Sequence, residues 1–400
     1  MGRSALLLVS SMGHLVKAWE VLRQRSTPKS RRSSGVDDQR IVDFDLNYAA
    51  HCRDLSYKLR LPGGYPFSRL RPHFIPKAGG KTRVICVPTV RDRVVQRALV
   101  DYLSDGDRCG LENNVSYGFI RGRSVEKAAR AACRLRSAHR CVYKTDITAF
   151  FDEIQRDVLA TAIRRVVRDR SLHALLISAS HCEIEEASRT QSEKIRAAGI
   201  RSGRGIRQGM PLSPFFANLV LARFDRVIEK AGIHMVRYAD DLICLADSKS
   251  ACLDIHELVK NALQVEGLTV PDPGATSKTR IFEPEEAAEF LGLTLRPESG
   301  QYVLEVSAEQ TRKMRQRIVD LADVAALARQ GVDLGGFFKR VDGALAGYAG
   351  SYSFASNAAH VERALDGARQ AAVTRLFEIE LGIPVGALTP EKKKFIGLVE

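Results

Sequence analysis

The stretch HMVRYADDLICLADS, residues 234–248, decides how this chain is read. Two adjacent aspartates, Asp240 and Asp241, interrupt an apolar run. The flanks HMVRY and LICLA read as strands, with the aspartate pair at the turn between them. Like charges side by side repel, and a strand pair ordinarily keeps such groups at its solvated ends. An isolated Asp-Asp in a turn is ordinary turn chemistry, because aspartate favours turns. A third carboxylate upstream changes that reading.

In RCVYKTDITAFFDEI, residues 140–154, Cys141, Tyr143 and Thr145 alternate with Val142, Lys144 and Asp146. This is the period-two pattern of a strand, and it ends at Asp146. The chain then turns into a helix, read as continuing through RDVLATAIRRVVRD. If these strands are neighbours in one sheet, Asp146, Asp240 and Asp241 converge on one edge. Three unpaired anions raise one another's pKa and destabilise the fold. A divalent cation removes that cost. Mg²⁺ prefers hard oxygen ligands, takes few carboxylates and leaves positions for substrate phosphates. Two such ions roughly 3.5–4 Å apart stabilise both the attacking and the leaving oxygen in phosphoryl transfer.

Upstream, residues 14–25 read as an amphipathic helix, and 25–35 (RSTPKSRRSSG) as a polar, basic loop. The segment PHFIPKAGGKTRVICVPT, 72–89, contains a hairpin with AGGK as its turn. RDRVVQRALVDYL reads as a helix with an apolar face of Val94, Val95, Ala98, Leu99 and Tyr102. Residues 180–207 look polar and irregular, ending in the basic, glycine-rich RSGRGIRQG. SPFFANLVLARFDRVIEKAG is a helix started by Ser213 and Pro214 and stopped by Gly232. Another helix is expected near 249–265. SKTRIF and AEFLGLTLRP read as the last short strands. From Ser307 onward the texture is helical, with SAEQ as a capping box and helices over about 308–330, 335–350 and 358–382.

Four hundred residues, 45% hydrophobic and 27% charged, make a globular chain with more than one subdomain. The 61 Lys and Arg outnumber the 47 Asp and Glu, a net charge of +14 that suits a polyanion such as nucleic acid. No two of the eight cysteines stand in a C-x-x-C spacing, so a zinc site is not expected, and scattered cysteines fit a reducing cytoplasm. Cys86 and Cys244 lie in apolar runs and are expected to be buried thiols. SALLLVSSM is too short for a membrane span and is read as mature protein, with no membrane partner expected.

At this point the residues resemble a family. YADD between apolar strands, DITAFFDEI upstream and RQGMPLSPFFANLVL between them resemble the bacterial reverse transcriptases, in the same order. IPKAGGKTRVICVPTVRDRVVQRAL resembles the finger segment, and SYGFIRGRSVEKAA the block before the palm. SKTRIF and FLGLTL resemble the last palm motifs. Seven blocks in the family's order span residues from about 70 to 295. The leading AWEVL…SSGVDDQRI resembles the extension of group II intron-type enzymes.

The resemblance implies an α+β, right-hand polymerase with an antiparallel-sheet palm, fingers and a helical thumb. It divides the chain into an N-terminal extension and fingers (1–135), a palm (136–300, with a fingers-like insertion around 175–207) and a helical thumb with C-terminal extension (301–400). It implies DNA synthesis on an RNA template from dNTPs. Mg²⁺, with Mn²⁺ as the alternative, would be held at Asp146, Ile147, Asp240 and Asp241, with the three aspartates catalytic. Lys81 and Arg83 carry charge on the finger hairpin where a triphosphate arrives, and Arg suits bidentate phosphate contact. Phe151 would clash with a 2′-hydroxyl and so favour dNTPs; Phe150 and Phe151 could equally both be core. Gln208 and Gly209 belong to the nucleotide site, glycine allowing close backbone approach. Lys278 is placed to protonate the leaving pyrophosphate. Tyr238 and the Phe290, Leu291, Gly292 run are assigned to the primer and template.

After the palm about a hundred residues remain, without the Cys or His cluster of a homing endonuclease. Group II-like and stand-alone is the resulting reading, with antiphage defence as the expected role and a structured non-coding RNA as the expected template. The alternatives are a maturase-like RNA-binding protein and a retron-type enzyme. Template identity, primer and oligomeric state are not readable from the residues.

Overall fold

The computed structural model describes residues 4–76, 80, 82–396 and 398. Nine strands occur among them: β1 (Arg71–Pro76), β2 (Thr82–Val87), β3 (Cys141–Asp146), β4 (His234–Tyr238), β5 (Asp241–Ala246), β6 (Arg280–Phe282), β7 (Ala288–Phe290), β8 (Leu293–Glu298) and β9 (Gln301–Val306). Together with the helices they make the mixed α+β class expected. Strands β1 and β2 form an antiparallel hairpin with Ile75 opposite Arg83. The central sheet has the order β4-β5-β3-β6, so β3 lies beside β5 although almost a hundred residues separate them in sequence. Strands β7, β8 and β9 form an antiparallel meander.

The chain divides into two compact units. The first holds Met1–Arg123, Lys144–Leu242 and Leu253–Arg280. Its leading helices, Ala5–Val9 and Met12–Arg25, are each opened by a serine whose hydroxyl accepts a backbone N–H, Ser4 and Ser11. The helix Val90–Ser104 buries Val94, Val95, Ala98 and Leu99 as its spacing predicts, with Tyr102 only half-buried. The helix Ser213–Lys230 is almost wholly apolar on its inner side and ends before Gly232, whose φ of 68° suits a helix stop.

Several expectations for this unit need correction. The basic loop 25–35 contains a turn of helix, Pro28–Arg31. The helix after Asp146 is two helices, Phe150–Glu153 and Arg156–Val166, because Ile154 and Gln155 leave helical geometry. The span 180–207 is not irregular throughout: Ser188 caps a helix over Arg189–Ala197. That helix buries only Ile195, so it shows no apolar stripe in the sequence.

The second unit holds Ser124–Tyr143, Ile243–Cys252 and Ile281–Glu400. Here strand β9 was missed, although Tyr302, Leu304 and Val306 alternate inward. The helix Ala308–Val319 starts at Ser307, whose hydroxyl accepts from the Gln310 N–H. Gln310 does not return to the cap; its amide donates to the Tyr352 hydroxyl at 3.0 Å. The long helices that follow are Leu334–Tyr352 and Ala358–Thr374, the last continued by a wider π turn over Arg375–Glu380. All eight cysteines are free thiols, with Cys86 and Cys244 fully buried.

Candidate active site

The site is assembled from strand ends of the first unit. Asp146 closes β3, Asp240 lies in the turn between β4 and β5, and Asp241 opens β5. The Ile147 N–H donates to the Asp240 carbonyl at 3.0 Å, which fastens the end of β3 to that turn. The sheet order therefore brings the separate carboxylates to one edge.

Electrostatics follow from the placement. Burial and then repulsion from Asp146 push the Asp240 carboxyl above its ordinary value, against the positive charges of Lys278 and Arg83. Burial pushes Asp241 up to about 6, Lys144 opposing it while Asp146 and Asp240 add to it. The ammonium of Lys278 donates to Asp146 Oδ1 at 2.6 Å. The neighbouring Thr279 fixes that lysine. Its hydroxyl lies 2.6 Å from the Thr145 hydroxyl on β3 and donates to the Pro271 carbonyl.

The donor set fits a divalent cation. Its atoms are hard carboxylate oxygens, and the charges of Asp240 and Asp241 are disfavoured by burial and by like neighbours, which a cation reverses. Among the described residues no three His, Cys, Asp or Glu side chains form a closed metal set.

The remaining expected residues are distributed unevenly. Lys81 lies outside the described residues, while Arg83 is exposed on β2 and acts on Asp240. Phe150 is core, whereas Phe151 is half-buried with its ring 5.3 Å from that of Phe150. The loop 203–209 is sewn to both neighbours. The Gly205 N–H donates to the Ile154 carbonyl and the Ile206 N–H to the Phe151 carbonyl, each at 2.8 Å. The Cys86 N–H on β2 donates to the Gln208 carbonyl at 2.7 Å. Gly209 has φ 110°, and a Cβ there would stand 2.5 Å from the Cys86 carbonyl oxygen. Only glycine fits. Tyr238 is half-buried, its ring 6.4 Å from that of Phe119. Phe290, Leu291 and Gly292 belong to the second unit. Phe290 is buried, and Leu291 and Gly292, with φ of 55° and 78°, form a two-residue turn between β7 and β8.

Sequence reasoning missed what braces the aspartate turn. Arg237 is fully buried, and its guanidinium donates to both oxygens of Asp225, to Asn218 Oδ1, to the Ser116 hydroxyl and to the Ala239 carbonyl. Ala239 takes a left-handed φ of 58° in the turn, and the Arg237 bond to its carbonyl holds that conformation. Gly118 presses on the same turn: a Cβ there would collide with the Ala239 nitrogen. The available signal was Asp225, a carboxylate between Leu221 and Ile228 on the buried side of an apolar helix. A second missed cluster surrounds Glu183. Its carboxylate accepts from Arg156 Nη1 and Arg207 Nη2, both at 2.7 Å, and from the Gly203 N–H at 2.8 Å.

Comparison with known proteins gives a consistent picture. A family model described as reverse transcriptase (RNA-dependent DNA polymerase) matches residues 75–295. Protein YkfC of Escherichia coli (strain K12) is 29% identical over 220 residues, covering 53% of this chain and 54% of that protein. The retron Mx65 reverse transcriptase of Myxococcus xanthus is 26% identical over 253 residues, covering 60% of this chain and 53% of that one. The retron Ec83 reverse transcriptase of Escherichia coli is 23% identical over 202 residues, covering 50% and 59%. The chain spans about half the length of the curated relatives it matches.

Proposed function

Because this chain belongs to the reverse transcriptase (RNA-dependent DNA polymerase) family, we propose that it synthesises DNA on an RNA template from dNTPs. One observation carries the reading: Asp146 ends β3 beside the turn that bears Asp240, with the Ile147 N–H bonded to the Asp240 carbonyl. Reverse transcriptases work with divalent metal ions, and here Asp146 and Asp240 would hold them, with Ile147 and Asp241 alongside. Mg²⁺ is the ion proposed, Mn²⁺ the alternative. Bound there, such ions would activate the primer 3′-oxygen and neutralise charge on the triphosphate.

The chain's own residues do the rest. Arg83 meets the incoming phosphates from β2, where a guanidinium can make two parallel bonds. Lys278 keeps an ammonium against Asp146 and is the proton donor for the leaving pyrophosphate. Phe151, its carbonyl pinned by the Ile206 N–H, is the residue that would exclude a 2′-hydroxyl. Gln208 has its backbone held by β2, which leaves its side chain for nucleotide or template. Tyr238 and the Phe290–Gly292 turn serve the primer end. Palm (136–300), fingers with the leading extension (1–135) and helical thumb (301–400) are the functional division proposed.

The test is Asp240→Asn. Primer extension on an RNA template should fall by at least a thousandfold, while RNA binding, measured by filter retention, stays within twofold. Unchanged extension would sink the polymerase reading. Biological activity that survives loss of extension would favour an RNA-binding role. A cytoplasmic site of action and a structured non-coding RNA template complete the proposal, with defence against phage as its setting. Among the described residues no helix is long and apolar enough to cross a membrane. The defence role is checked by plaque counts on hosts carrying the wild-type or the Asp240→Asn protein; equal counts would remove it.

A further inference from the structure

We propose that Phe119 is a platform on which a base of the primer–template end stacks, beside the turn that bears Asp240. The inference rests on the proposed polymerisation for the identity of that nucleic acid.

Position is the first argument. The segment 115–117 runs parallel to β4. The Arg237 N–H donates to the Val115 carbonyl at 2.8 Å, and the Tyr117 N–H donates to the Arg237 carbonyl at 2.7 Å. This pairing brings Phe119 beside Tyr238, their rings 6.4 Å apart and inclined at 45°. On another side Phe119 borders a cavity of about 70 Å³ together with Pro211, Pro214 and Phe215. Those three belong to the QGMPLSPFF run. Phe119 therefore stands between the run that opens with Gln208 and the turn that bears Asp240.

Backbone strain is the second argument, and it carries more weight. Phe119 is 50% exposed. A solitary exposed apolar side chain is ordinary, so exposure alone decides nothing. Its φ, however, is 62°, and it is the one aromatic residue with a left-handed φ among the described residues. Glycine, asparagine and aspartate visit that region at little cost, whereas a bulky side chain there is an outlier. The conformation is enforced from both sides. The Gly118 carbonyl accepts from the Asn218 amide at 3.0 Å, and the Arg123 N–H donates to the carbonyl of the buried Ile120 at 3.1 Å. Strain of this kind persists where the surroundings over-determine it, and it clusters at working sites. Here it displays a ring instead of burying one.

Chemistry is the third. Every base has a flat π face, so an aromatic ring holds any of them without reading its sequence. A polymerase must hold primer ends of every sequence, and stacking meets that need. The half-buried Tyr238 backs the platform with a second ring.

The experiment uses the full chain in EDTA and measures, by fluorescence anisotropy, its affinity for a DNA primer annealed to an RNA template. Phe119→Gly removes the ring and relieves the backbone together. Its affinity should fall about fivefold or more, while its thermal midpoint stays level or rises. Phe119→Trp should keep the wild-type affinity. A ring that merely packs predicts a lower midpoint with affinity unchanged, and that result overturns the proposal. 2-Aminopurine at the primer 3′ end, or at the template position opposite it, then assigns the strand. Fluorescence quenched in wild type and recovered in Phe119→Gly marks the base on the ring; recovery at neither position also overturns the proposal. If the midpoint falls together with affinity, the 2-aminopurine signal decides. The two readings fail separately. Extension that survives Asp240→Asn removes polymerisation and leaves a Phe119 effect on affinity standing. Extension lost in Asp240→Asn, with Phe119→Gly binding as wild type does, removes the platform alone.

Discussion

Arg237, just before the tyrosine of the YADD turn, and Arg207, just before Gln208, are both almost wholly buried, yet they are housed differently. Arg237 spends its guanidinium on five acceptors: both oxygens of Asp225, Asn218, Ser116 and the Ala239 carbonyl. A guanidinium has five N–H donors, so nothing is left over. Arg207 gives one nitrogen to Glu183 and to the Arg201 carbonyl and leaves two nitrogens unpaired. Asp225 serves one guanidinium; Glu183 serves two. A buried charge with every donor satisfied is a fastener, and it holds the aspartate turn in a strained backbone conformation. A buried charge satisfied in part is a liability, since its unpaired donors carry a desolvation cost that nothing offsets.

Breaking the fastener should have the largest effect. Arg237→Met strands the Asp225 carboxylate in the core. Removing one partner of a buried pair typically costs about 3–5 kcal/mol. Urea denaturation should show a loss of that size, and the double variant Arg237→Met with Asp225→Leu should recover most of it, because no charge is left unpaired. A single-variant loss below about 1 kcal/mol would mean that the network is not what holds the turn.

The under-satisfied cluster should show itself through pH. Burial alone would raise the Glu183 carboxyl, but hydrogen bonds from Arg156, Arg207 and the Gly203 N–H outweigh it and hold the group at about 2, against an ordinary 4.5. A depressed carboxyl pKa contributes stability that is complete above the ordinary value and disappears as pH falls toward the folded one. The window is therefore pH 4.5 down to about 2. Over it the chain should lose on the order of 3 kcal/mol through this group, at 1.36 kcal/mol per unit. Glu183→Gln should remove that part of the acid-induced loss and lower stability at pH 7 by a similar amount. Identical acid profiles for the two proteins would show that Glu183 does not govern the loop.

These contrasts explain what the residues disclosed in advance. Period-two alternation announced β3 and its terminal Asp146, and the apolar flanks of Asp240 and Asp241 announced β4 and β5. Long periodic helices, 90–104 and 213–230, were legible for the same reason. Lys278 was found through its motif, and its bond to Asp146 needed only the sheet order to bring the two together. Arg237 and Glu183 were not legible, because a charged residue, whether in the apolar HMVRY run or in the polar 180–207 stretch, gives no sign of the partner that satisfies it. Asn218 and Asp225 are 19 and 12 positions from Arg237, and Ser116 is 121 away. The helix Arg189–Ala197 escaped because one buried isoleucine makes no stripe. Strand β9 showed a readable alternation that the helical texture after Ser307 obscured.

Gly118→Ala gives the smallest effect on folding and the sharpest on function. The glycine lies against the backbone of Tyr238 and Ala239, so a methyl group there must displace one chain or the other. Its own carbonyl is held by the Asn218 amide at 3.0 Å, and Ala239 is held by Arg237, so neither side yields cheaply. Overpacking of this kind costs about 1–3 kcal/mol, within what a folded domain absorbs. The displacement, however, falls on the turn that carries Asp240. Primer extension should drop by tenfold or more at saturating dNTP, with RNA binding and the dNTP KM little changed, because β2, proposed to meet the phosphates through Arg83, is untouched. A rise in KM with extension rate intact would place the pressure on the nucleotide side instead. The satisfied network would then transmit no constraint to the turn that bears Asp240.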